Sequence, residues 1–63
     1  MNIKKYRLVT DRSEVRLERM VNDLIIGGWQ PLGGVASTHN VYDYPIYVQA
    51  MVVYERPENL GPG

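Results

Sequence analysis

The sequence predicts an α+β domain of β-α-β-β order, a two-layer arrangement with a three-stranded antiparallel sheet in the order 2-3-1 and one helix on one face. Three observations carry this. Leu17, Met20, Val21, Leu24 and Ile25 recur at helical spacing and are followed by Gly27-Gly28. Ile3 to Thr10, ahead of them, alternates as a half-buried strand does. Ile46 to Tyr54, well behind them, is β-branched and aromatic.

In the first strand, Tyr6 and Leu8 share one face, while Lys5, Arg7 and Val9 take the other. Asp11 follows at a helix N-cap position, with Glu14 three residues on, the spacing of a capping box. The helix ends where Gly27-Gly28 can adopt a left-handed cap, and Trp29 is placed to fold back on its last turn. Leu32 to Thr38 reads as a second strand weakened by Gly33-Gly34, better suited to an edge than to the centre. Asn40 and Asp43 mark a turn before Pro45, and Ile46 to Tyr54 forms the third and strongest strand. A right-handed crossover through the helix leaves strands one and two parallel, so the third, inserted between them, is antiparallel to both. Its apolar content places Ile46, Val48, Ala50 and Val52 under the helix, with Tyr6, Leu8 and Leu32. Arg7, Val9, Tyr47, Gln49, Met51 and Val53 are then left on the open face.

Composition bounds the rest. A chain of 63 residues and 7.2 kDa makes one domain, here 1–54, with 55–63 as a flexible tail rich in proline and glycine. Chains this short bury only about 60% of the surface they expose when unfolded, so a core without staples is marginal. There is no cysteine and one histidine, His39, which removes disulfides, thiolate chemistry and multi-histidine metal sites within one chain. No cofactor and no metal are expected, and self-association is the remaining route to stability. A homo-oligomer follows, a dimer first, joined through Val9, Tyr47, Gln49, Met51 and Val53. Seven basic residues balance seven acidic ones, which makes nucleic acid an unfavoured partner. No apolar run approaches the ~20 residues of a membrane span, so the expected location is the cytoplasm.

Lys5-Tyr6-Arg7-Leu8-Val9, Val21-Asn22-Asp23-Leu24, Gly28-Trp29-Gln30-Pro31-Leu32-Gly33-Gly34-Val35 and Tyr47-Val48-Gln49-Ala50-Met51-Val52 resemble, in this order, the short phage and bacterial proteins of the domain of unknown function 1737 family. The resemblance implies a small α+β domain, often phage-encoded, with no assigned activity and no catalytic residues to carry over. On that basis the host cytoplasm is the expected setting.

Candidate sites are few. Trp29 between two glycine pairs reads first as a packed cap residue and second as a stacking surface. Tyr42, Tyr44 and Tyr47, with His39 and Asp43, make an aromatic hairpin end suited to contact rather than catalysis, since no activated nucleophile accompanies them. Arg12, Arg16 and Arg19 are interleaved with Glu14, Glu18 and Asp23, the pattern of a solvated face more than of a phosphate-binding ridge. Gln49, mid-strand, needs a partner, which a two-fold contact would supply. The sequence therefore points to a non-enzymatic binding protein, a phage-type accessory acting on a host or phage protein. The alternative is a small-ligand or nucleotide sequestering protein whose pocket lies between protomers and draws on Trp29, Arg7, Tyr42, Tyr44 and Tyr47. Nucleic-acid binding ranks third.

Overall fold

The computed structural model describes residues 2–56. Its elements are β1 (Ile3–Asp11), α1 (Glu14–Ile26), β2 (Gln30–His39) and β3 (Pro45–Tyr54). The sheet runs β1-β3-β2, the expected order read from the other end, and both neighbouring pairs are antiparallel. The tail expected from residue 55 onward lies largely outside the described residues. Within them, the Glu55 N–H still donates to the Asn2 carbonyl at 2.8 Å, prolonging the β1–β3 pairing.

The ends of α1 follow from local chemistry. Ser13 is the N-cap: its backbone is extended and its hydroxyl accepts from the Arg16 N–H at 3.3 Å. Asp11 does not cap the helix, contrary to expectation, because it is still the last residue of β1. Its carboxylate instead accepts from the Ser13 N–H at 2.7 Å and from the Arg16 guanidinium at 3.1 Å, pinning the β1–α1 corner. At the other end Gly28 has φ +97°, its N–H donates to the Ile25 carbonyl, and the Trp29 N–H donates to the Leu24 carbonyl. That pair of bonds is a Schellman cap, with Trp29 packed beside Leu24 as its hydrophobic lock.

The face assignment is inverted relative to expectation. α1 covers the odd-numbered face: Val9, Leu17 and Met51 are buried together, with Val21, Leu24, Trp29 and Tyr47 against them. Val9, Gln49 and Met51, expected at an oligomer interface, are buried within the chain, and Tyr47 packs on the same cluster. Val53 belongs to this odd-numbered face as well, paired with Lys5 on β1. The face turned away from α1 carries Tyr6, Leu8, Leu32, Ile46, Val48, Ala50 and Val52, the residues the sequence pattern had placed under the helix. The rule that the more apolar side of a strand lies under the covering layer is broken here. The apolar stripe of α1 is also narrower than its spacing suggests. Leu17, Val21 and Leu24 point inward, while Met20 and Ile25 lie on its flanks, exposed.

β2 departs from regular pairing. Leu32 opposes Ala50 but Ala36 opposes Val48, so 33–35 together face Gln49 alone. Gly33, at φ +75°, permits this double bulge. The Gln49 side-chain amide turns into it and donates toward the carbonyls of Leu32 (3.3 Å), Gly33 (3.1 Å) and Ala50 (3.0 Å). The buried glutamine therefore finds its partners inside its own chain rather than across a two-fold axis. Its amide replaces the ladder bonds that the bulge removes.

Candidate functional site

α1 leans over β1 and β3 and leaves β2 largely bare on the helix side. The space between α1 and β2 is a cleft of ≈ 450 Å³ lined by Glu14, Leu17, Glu18, Val21, Asn22, Val35, Ser37, Tyr47 and Gln49. Helical spacing builds one wall: Glu14, Glu18 and Asn22 recur every fourth residue on the flank of α1 that faces β2, above the inward Leu17 and Val21. Strand register builds the other, since Ser37 stands opposite Tyr47 and the bulge brings Val35 beside Gln49. The result is an apolar floor with a polar rim, and the rim is acidic.

One hydrogen bond orders the mouth. The Tyr47 hydroxyl donates to Glu14 Oε1 at 3.2 Å, linking the first turn of α1 to the central strand. This bond to the carboxylate, aided by desolvation and by the charge of Glu14, holds the Tyr47 phenol above its ordinary pKa. At the corner outside the cleft, Asp11 is held below the usual carboxylate range, chiefly by the Ser13 N–H and then by Arg16. A proton-transfer role for Tyr47 at neutral pH finds no support in this geometry, because the phenol is stabilised as a donor.

The five candidate binding residues do not converge. Arg7 lies over the half-buried Trp29 ring at 5.5 Å, a cation–π contact at the helix C-terminal end. Tyr47 sits about 13 Å along the strand from that end, four residues from Met51, the register partner of Arg7. Tyr42 and Tyr44 are exposed on the β2–β3 turn, and Arg12 stacks over Tyr44 at 5.5 Å. The turn is closed by hydrogen bonds: the Asn40 side-chain carbonyl accepts from the N–H groups of Tyr42 and Tyr44, and Asp43 takes φ 64°. Of the three helix-side arginines, Arg16 pairs with Asp11 and Arg12 with Tyr44, so they form no free phosphate-binding ridge. Among the described residues, no group of three His, Cys, Asp or Glu is placed to hold a metal ion.

Glu14, Glu18, Asn22, Val35 and Ser37 were not singled out as site residues by the sequence. Their signal was present in the four-residue repeat of polar positions beside the apolar stripe. It becomes legible only once the helix is known to leave β2 uncovered.

Residues 3–54 match the model of a family described as a domain of unknown function (DUF1737). The chain belongs to that family. No curated protein and no solved structure matches it. Within the matched segment, Gly28 closes the α1 cap and Gly33 opens the β2 bulge. The family description assigns no chemistry to either. No helix among the described residues is long and apolar enough to cross a membrane.

Proposed function

We propose that this chain is a small, non-enzymatic interaction protein of the phage-accessory type, working in the cytoplasm, that engages a host or phage protein partner at the α1–β2 cleft. The observation that carries this reading is the cleft itself. It opens beside an exposed, hydrogen-bonded tyrosine turn and combines an apolar floor with hydrogen-bonding groups from more than one element. Tyr44, stacked under Arg12, stands at the same end as Glu14 and Tyr47, so contact area and polar anchors are contiguous. The acidic rim selects a partner that presents a basic or donor-rich segment.

A photo-crosslinking amino acid at Val35, which lines the cleft, tests the reading against a control at Arg19 on the outer helix face. A discrete adduct from Val35 and none from Arg19 in host lysate is the expected result. Equal labelling from both positions would refute a cleft-directed interaction.

A second reading, small-ligand sequestration, is favoured by one observation: the cleft volume lies within the ≈ 300–1,000 Å³ range of small-molecule pockets. Glu14 and Glu18 make a cationic ligand the fitting class and a nucleotide the unfitting one. Native mass spectrometry of the purified protein distinguishes the readings by the mass of whatever remains bound.

A further inference from the structure

We propose that the sheet face turned away from α1 is a homodimer interface, covered by the same face of a second copy of this chain. The proposal concerns the side of the sheet opposite the cleft and stands independently of it.

Four observations converge. Tyr6, Leu8 and Thr10 on β1, Leu32 and Ala36 on β2, and Ile46, Val48, Ala50 and Val52 on β3 share this face, and none is charged. α1 packs on the other side of the sheet, against Val9 and Met51. Val52, which stands opposite Tyr6 and Gln30 in the register, is already fully buried on this face. The core under α1 is small: among the described residues the buried apolar side chains on that side are Val9, Leu17 and Met51, with Gln49 the one buried polar residue beside them.

The area fits a second copy. Ile3 (48%), Tyr6 and Leu8 (58% each) and Leu32 (41%) are substantially exposed. At roughly 200 Å² for a large side chain, these four alone present about 400 Å². That is already within the ≈ 300–600 Å² of the largest apolar patch on a typical monomer. Ile46, Val48, Ala50 and Tyr54, partly exposed on β3, enlarge it. Two such faces, fully covered, bury roughly 1,000–1,400 Å², which overlaps the lower end of the ≈ 1,200–2,000 Å² of stable interfaces. Face-to-face packing at about 10 Å is the ordinary way two twisted sheets do this.

The occupant follows from charge and from edges. A face without charge has nothing to repel its own copy across a two-fold axis and nothing to select a charged stranger. Association through strand edges is discouraged, because Pro31 and the Gly33–Val35 bulge blunt β2, while Lys4, Lys5 and an irregular register between Ile3 and Lys5 blunt the start of β1. A core this small also needs its cover at all times, and a second copy is present whenever the chain is made.

The test is done on the unmodified chain. Light scattering coupled to gel filtration at micromolar concentration should give twice the 7.2 kDa chain mass. In a mixture of isotope-labelled and unlabelled protein, filtered nuclear Overhauser spectra should show intermolecular contacts from the methyl groups of Leu8 and Val48. Leu8→Lys, a change at an exposed position, should raise the dissociation constant at least about a hundredfold by burying unpaired charge. A monomer mass for the unmodified chain overturns the proposal, including a monomer in which 57–63 covers the face. So does a dimer whose intermolecular contacts come from α1 or from strand edges. If Leu8→Lys does not fold, the mass and contact measurements on the unmodified chain still decide.

Discussion

Replacing Gln49 separates two accounts of why a polar side chain sits 4% exposed in the central strand. In the structure its amide has two hydrogens and three carbonyl acceptors within 3.3 Å, two of them on the β2 bulge. Gln49→Met keeps the volume and removes both donors. Each bulge carbonyl that loses its partner costs about 1–1.5 kcal/mol, because both are only partly shielded from water, so the variant should lose about 2–3 kcal/mol. Gln49→Glu goes further. A carboxylate aimed at carbonyl oxygens in a buried site is disfavoured, so its folded-state pKa rises above the unfolded value of about 4.3. The folded state then holds the proton more tightly, and stability falls as pH rises from that unfolded value until the raised pKa is passed, by at most about 1.4 kcal/mol per pH unit. Below about pH 4 the protonated acid can donate one hydrogen bond and the variant should approach Gln49→Met. Urea melts followed by the single tryptophan, Trp29, at fixed protein concentration between pH 4 and 7.5 measure all three proteins. A Gln49→Met protein within 0.5 kcal/mol of the parent (roughly the spread of neutral surface changes), together with a Gln49→Glu protein whose stability relative to the parent ignores pH, would refute the role assigned to this amide.

The remaining predictions use the same melts or simple titrations. Gly28→Ala and Gly33→Ala should each cost about 1–2 kcal/mol, because φ +97° and +75° are strained for any side chain although open space surrounds both positions. Trp29→Ala should cost about 3 kcal/mol, the low end for a truncated aromatic, because the ring is only half-buried. Circular dichroism replaces fluorescence for that variant. Asp11, whose pKa is lowered in the fold, contributes stability that is present above its ordinary value of 3.8 and is lost as pH falls through the lowered one. Asp11→Asn should remove that acid-side loss. Tyr47, whose pKa is raised, contributes stability that is present below 10.0 and lost as pH rises through the raised value. Ultraviolet titration should show a late-ionising phenol that Tyr47→Phe or Glu14→Gln abolishes.

What was legible in the sequence was whatever short-range chemistry decides. Gly27-Gly28-Trp29 specified the Schellman cap because only a residue free to take positive φ can turn the chain there. Asn40 specified the turn because its side chain can accept from the two N–H groups that the turn leaves unpaired. The N-cap was misplaced by two residues because Asp11 and Ser13 are both good caps, and the choice between them depends on where β1 stops. The bulge was half visible: glycines in a strand announced weakness, but its size is set by the match between Gln49 and two carbonyls some sixteen residues away. The cleft was invisible, since it arises from how far α1 leans across the sheet, which no local pattern encodes.

The inverted faces have a different cause, and it bears on assembly. The alternation of β3 was read correctly, with Ile46, Val48, Ala50 and Val52 on one side and Tyr47, Gln49 and Met51 on the other. What failed was the premise that a chain has one burying surface, so that its more apolar side must lie under its helix. In this chain the helix covers the side that holds a glutamine serving the bulge and a tyrosine serving the cleft, and neither Tyr47 nor Gln49 could line that cleft if β3 were turned over. The uncharged, mostly apolar side is left for something else. In a lone monomer that arrangement exposes the residues with most to gain from burial, at about 25 cal/mol for each Å² of apolar surface. In a two-fold dimer it is the economical one: the uniform face goes to the partner copy, where any register of methyl groups and rings can pack. The mixed face, whose polar groups need specific neighbours, stays under a helix that the same chain supplies.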